Sequence, residues 1–256
     1  LRVVQAAQRP HIIGLYSIPS PSVYADPNGF VDISMVETQE QRWLDDARQI
    51  EAIFNETLGR EGLSSEFHAV RADAGSPSRG IAGTAMVADL IVAGQIDPAD
   101  SETPDDSSDA LVLESGRPVL YVPFGFIIPK RIARVLIAFN GTREGARAAF
   151  DALPFLVKAD SVEVVWVNAR DDKEKDAAVA GAALAEALAR HDVKVTASSL
   201  SSHAIPVDET IRQRALENAD LLVMGAYGHS RLREMVFGGV TRSILEDMPC
   251  MTFMSR

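Results

Sequence analysis

From residue 134 onward, short runs of branched aliphatics alternate with stretches of helical period, and few folds accept such a beat. Residues 134–139 are an apolar run closed by Asn140-Gly141-Thr142. This reads as a buried strand, a turn, and a helix N-cap at Thr142. Ala146, Ala149, Phe150 and Leu153 then recur at i, i+3, i+4 and i+7, one face of a helix. Further strands are predicted over 162–167, 193–197, 219–224 and 250–254. Between them, Ala180, Ala183, Leu184, Ala187 and Leu188 repeat the helical period, a helix over 207–216 starts behind Pro206, and a short one spans 240–246. Strands separated by helices imply a parallel sheet covered on both faces.

The first half follows the same beat. A helix end is expected over 1–8, strands over 11–16, 67–72, 89–93 and 119–122, and helices over 32–58 and 77–86. The long helix carries Trp43, Ala47, Ile50 and Phe54 on one stripe; Trp43, like Trp166, reads as core. Ala88-Asp89-Leu90-Ile91-Val92-Ala93-Gly94 matches Ala219-Asp220-Leu221-Leu222-Val223-Met224-Gly225, and Gly116-Arg117-Pro118-Val119-Leu120 matches Asp247-Met248-Pro249-Cys250-Met251. Two matched anchors at similar spacing indicate an internal repeat. The expected class is α/β: two tandem, open, parallel five-stranded sheets with helices on both faces, Rossmann-like, the first lacking its first strand. The expected domains are 1–129 and 130–256, joined by a linker over 123–130. Residue 1 is Leu, with neither an initiator Met nor a signal-like segment, so missing upstream sequence is expected. A sheet without its central strand exposes two edges, which destabilises it unless another chain fills the gap.

Charge separates the halves. Residues 1–129 hold 8 Arg, no Lys and 19 Asp+Glu, a balance of −11, whereas 130–256 hold 17 basic and 17 acidic residues. An anionic ligand is therefore expected in the second half. The overall −11 argues against nucleic acid as a partner. No apolar run approaches the ~20 residues of a membrane-spanning helix. The single cysteine, Cys250, excludes an internal disulfide framework and reads as a small core hydrophobe. Low cysteine use fits a cytoplasmic location. The acidic run 97–109 lacks calcium-loop grammar and reads as a loop.

The segment after the 219–224 strand is the candidate site. Gly225-Ala226-Tyr227-Gly228 is followed by nine residues, then Gly238-Gly239-Val240-Thr241 at the mouth of a helix. Glycines after a strand can be turn formers only. They also let backbone N–H groups approach an anion, and a helix N-terminus favours phosphate. Thr241 adds a hydroxyl. In open α/β sheets ligands bind outside the carboxyl ends of the strands, where the strand order reverses.

The repeat and this loop resemble the universal stress protein family in its tandem two-domain form. The match covers nearly all of 134–256 and, more weakly, 1–122. Nucleotide-binding members of that family carry Gly-x-x-Gly, nine residues, then Gly and Ser or Thr; here Gly239 replaces the hydroxyl residue. They usually carry Asp where Asn140 stands. The resemblance implies adenine near Asn140 and Val167. It implies ribose and phosphates along Gly225, Gly228, His229, Gly238, Gly239, Val240 and Thr241. The ligand would be ATP or ADP, with Mg2+ as an optional companion. The first half has lost the motif and resembles a degenerate, non-binding copy.

His229 reads as a loop residue and not a base, and His203 as solvent-facing. No Gly-x-x-x-x-Gly-Lys-Ser/Thr loop or paired carboxylates mark a hydrolase. Three functions therefore compete: a nucleotide-binding stress-response module without catalysis, a nucleotide-independent scaffold, and a slow nucleotide hydrolase. In the first two, the strands at 119–122 and 250–254 are the expected pairing edges, for an intrachain pseudo-dimer and for a homodimer.

Overall fold

The computed structural model describes residues 10–18, 33–71, 77–95, 109–168, 174–201, 205–228 and 239–256. The chain forms two compact units, one from 1–86 and 99–115, the other from 87–98 and 116–256.

In the first unit, strands β1 (His11–Ile18) and β2 (Ser64–Arg71) pair in parallel from His11↔Ser64 to Ile18↔Arg71. Helix α1 (Ile33–Arg60) connects them. It buries Ala47 and Leu58 and half-buries Trp43 and Phe54. Ile50, expected on that stripe, is exposed. The Phe54 and Phe67 rings meet at 5.5 Å over Gly14. Gly62, at φ +63°, takes the left-handed conformation that ends α1, and Leu63 N–H closes back on the Leu58 carbonyl at 3.1 Å. Helix α2 (Pro77–Ala85) packs on α3 (Asp109–Glu114). Helix α3 was not expected, because acidic residues flank it; its Ala110, Leu111 and Val112 are buried.

The second unit holds strands β3 (Ile91–Gly94), β4 (Val119–Val122), β5 (Arg134–Ala138), β6 (Ser161–Asn168), β7 (Val195–Ser201), β8 (Leu221–Gly225) and β9 (Met251–Ser255). Its helices are α4 (Arg143–Asp151), α5 (Leu153–Leu156), α6 (Glu174–Ala189), α7 (Val207–Asn218) and α8 (Gly239–Glu246). Among the described residues the strand order is β3-β4-β9-β8-β5-β6-β7, parallel except between β4 and β9. The α/β class stands as expected. The strands divide as two plus seven, however, in place of two sets of five. The cause is the antiparallel ladder Val119↔Met254, Leu120↔Phe253, Tyr121↔Thr252, whose six residues are all fully buried. It draws β3 and β4 into the sheet of the second unit. The last strands thus pair within the chain, as expected. Both edges of β4 and of β9 are occupied, so a second copy finds no free edge on either.

The core follows the central strands. Leu136, Ile137, Val164, Leu221, Leu222, Val223 and Phe253 are each at most 1% exposed. Burial of each such side chain contributes about 1.5–3 kcal/mol relative to exposure. Asp220 fastens the start of β5: its carboxylate accepts the Ala133 and Arg134 N–H groups at 3.0 and 2.9 Å and pairs with the Arg134 guanidinium. Cys250 is buried among these strands, as expected, and desolvation pushes its thiol up to about 12.

The face of α4 differs from expectation. Gly145, Ala148, Ala149 and Ala152 turn inward, and Phe150 is exposed, edge-on to His191 at 6.0 Å. A Cβ on Gly225 would lie 2.4 Å from the Gly145 nitrogen, so α4 crosses the end of β8 backbone to backbone. Only small residues fit that crossing. Trp166 is half-buried and not core; Gly181 of α6 rides on its ring.

Candidate functional site

Chain order places β6 and β7 on one side of β5, and β8 and β9 on the other. The carboxyl ends of β5 and β8 therefore flank the point where strand order reverses, the usual ligand crevice of an open α/β sheet.

The loop leaving β5 is locally determined. Gly141 takes φ +74°, and the Asn140 side-chain oxygen accepts from the Thr142 N–H and hydroxyl at 3.3 and 2.7 Å. Thr142 then caps α4 by accepting the Gly145 N–H at 3.2 Å, as the sequence predicts. With its oxygen engaged, Asn140 offers its amide N–H2. Asn140 lies in the loop two residues past Ala138, the end of β5, and Val167 lies on β6 two residues past Val165, the partner of Ala138.

The loop leaving β8 begins with Gly225, fixed against α4 as described. The Ala226 N–H donates to the Ser255 carbonyl at 2.9 Å, extending the β8–β9 ladder. Tyr227 has φ +54°, which a bulky side chain rarely adopts. Its N–H lies 3.4 Å from the hydroxyl of Thr241, a buried residue in the first turn of α8. A Cβ on Gly228 would lie 3.0 Å from Thr142 Oγ1 and 3.3 Å from Glu144 Oε2. Contacts through Thr142, Gly145 and Tyr227 thus link Asn140, Gly225, Gly228 and Thr241 at the carboxyl ends of β5 and β8. Gly239 is exposed and Val240 half-buried at the start of α8. His229 and Gly238, like His203 and most of the acidic run, lie outside the described residues.

Thr142, Glu144 and Tyr227 belong to the same crevice, and sequence reading did not place them there. Glu144 is 5% exposed, and its Oε1 accepts from Arg143 Nε at 2.6 Å. Burial opposes ionisation of its carboxyl. The Arg143 hydrogen bond, its own backbone N–H and the charges of Arg143 and Arg256 outweigh that and hold the group below the ordinary carboxylate value. An acidic residue in a first turn is a visible sequence signal; its burial is not. Among the described residues no group of three or more His, Cys, Asp or Glu converges to hold a metal ion. Nor is any described helix long and apolar enough to cross a membrane.

The glycines that leave β8 therefore stand at the switch point of an open α/β sheet, where such sheets bind ligands. Comparison with known proteins gives the family of residues 132–256. The profile of the Universal stress protein family matches residues 132–256. A universal stress protein of Synechocystis sp. is 31% identical over 141 residues, 54% of this chain and 47% of that protein. The match spans about half the length of that relative. Over 98% of the chain, the fold is similar to a universal stress protein from Archaeoglobus fulgidus, with TM-score 0.70, 17% identity and 89% of that protein covered. It is also similar to one described as a putative universal stress protein from Pseudomonas aeruginosa, with TM-score 0.58, 15% identity, and 98% and 94% covered. Residues 132–256 are a universal stress protein domain.

Proposed function

We propose that this chain is a stress-response protein that binds an adenine nucleotide, ATP or ADP, in the crevice between β5 and β8, as a sensing module without catalysis. The observation that carries the reading is the position of Gly225-x-x-Gly228-x9-Gly238: it leaves the carboxyl end of β8 at the switch point and leads into α8. In this reading adenine lies by Asn140 and Val167. Ribose and phosphates follow Gly225, Gly228, His229, Gly238, Gly239, Val240 and Thr241, with Mg2+ accompanying the phosphates. Residues 1–129 act as the degenerate copy and 130–256 as the binding copy, in the cytoplasm. Association of two chains would use surfaces other than the edges of β4 and β9.

Native mass spectrometry of the purified chain, with and without ATP, tests this. One nucleotide per chain, lost in Gly238→Asp, is the expected outcome. No increment even at millimolar ATP overturns it and leaves the nucleotide-independent scaffold, which Gly239 in place of a hydroxyl residue favours.

A further inference from the structure

We propose that Glu144 sets the charge of the ligand that the β5/β8 crevice accepts, rejecting free polyphosphate and admitting a nucleotide whose phosphates are neutralised by a divalent cation. The inference rests on the nucleotide reading above and deepens it. Three observations carry it. The Glu144 side chain is 6% exposed, whereas its counter-ion Arg143 is 90% exposed, so water and salt screen the cation far more than the carboxylate. The Oε2 atom lies 3.3 Å from where a Gly228 side chain would begin. A phosphate accepting the Gly228 N–H would sit about 3 Å from that nitrogen. Phosphate and carboxylate would then stand at most about 9 Å apart, a separation comparable with the Debye length of about 8 Å at physiological salt. Finally, Glu144 occupies the first turn of α4. A helix N-terminus ordinarily attracts phosphate, and here a fixed anion already complements it.

A divalent cation reverses the balance. Magnesium takes carboxylate and phosphate oxygens together, so the group that repels bare phosphate becomes part of what holds the metal-bound form. The carboxylate is ionised at neutral pH for the reasons given above.

Calorimetric titration of the full chain and of Glu144→Gln decides the matter, using adenosine, ATP in chelator and ATP with Mg2+. For the unsubstituted chain, Mg2+ is expected to tighten ATP binding about tenfold. Glu144→Gln is expected to bind metal-free ATP about tenfold tighter than the unsubstituted chain, with adenosine unchanged. An equal magnesium response in both proteins overturns the inference and leaves the nucleotide reading intact. So does weaker metal-free ATP binding by Glu144→Gln, which would make Glu144 a support for Arg143 as the phosphate contact. If neither adenosine nor ATP binds either protein, the nucleotide reading fails and this inference fails with it.

Discussion

Strands β1 and β2 form the longer parallel ladder of the chain's two contrasting pairs, and strands β8 and β9 form the better covered one. The first runs from His11↔Ser64 to Ile18↔Arg71, yet of its residues only Ile18 is buried and Ile13 is 37% exposed. The second runs only from Leu221↔Met251 to Gly225↔Ser255, yet every residue of β9 and all of β8 except Gly225 is buried. Ladder length therefore does not make a core. Parallel strands are stable when neighbours and helices cover both edges and both faces. Strands β8 and β9 have a partner on each side, whereas among the described residues β1 pairs with β2 alone.

Large-to-small substitutions should break this comparison most visibly. Leu222→Ala removes a fully buried side chain and is expected to cost about 4 kcal/mol. Ile13→Ala is expected to cost about 1 kcal/mol, because its site is already half open to water. Denaturant titration reads both, and equal costs would refute the contrast.

Glycine-to-alanine substitutions sharpen it next. At Gly225 the new Cβ falls 2.4 Å from backbone nitrogen, which cannot move without shifting α4; the expected cost is about 3 kcal/mol. At Gly14 the nearest atom, at 2.5 Å, belongs to the Phe67 ring. That ring lies in a sparsely covered unit and can turn aside, so about 1 kcal/mol is expected. The same denaturation assay applies, and a Gly14→Ala loss as large as that of Gly225→Ala would count against the packing argument.

The smallest effect is electrostatic. Burial opposes ionisation of Asp220, and the N–H groups of Arg134 and Ala133 with the Arg134 guanidinium outweigh it, lowering the carboxyl below its ordinary value. A lowered folded value means a contribution that is complete above the unfolded pKa and lost as pH falls through the folded one. Asp220→Asn should therefore cost about 1 kcal/mol near neutrality, with the difference vanishing in acid. In the first unit the Arg60–Glu56 pair is exposed on both sides, and Arg60→Gln should leave stability unchanged at either pH. A pH-independent Asp220→Asn cost, read from stability against pH, would contradict this account.

Much of the fold was legible because alternation is a local signal. The 119–122 strand falls where expected, and β5, β6, β8 and β9 within two residues of expectation. The errors have local causes too. Counting apolar residues favoured Phe150 over the small face of α4, and acidic neighbours hid α3. The pairing of β4 with β9 was legible from the repeat, but the gathering of β3 and β4 into one sheet with the later strands was not, because it depends on partners more than a hundred residues away. In the crevice, the spacing of Gly225 and Gly228 and the cap at Thr142 could be read directly. The closeness of Gly225 to Gly145 and the burial of Glu144 could not, since both arise only when α4 is laid across β8.

The antiparallel join between β4 and β9 also changes what the peptide backbone is for. Scission between Pro129 and Lys130 would leave β3 and β4 on one fragment and β5 to β9 on the other. The joint between them is nonetheless the dry ladder from Val119↔Met254 to Tyr121↔Thr252. The two halves of the gene thus encode complementary pieces of one sheet, and the connecting segment serves as a tether that raises their local concentration, not as the bond that holds them together.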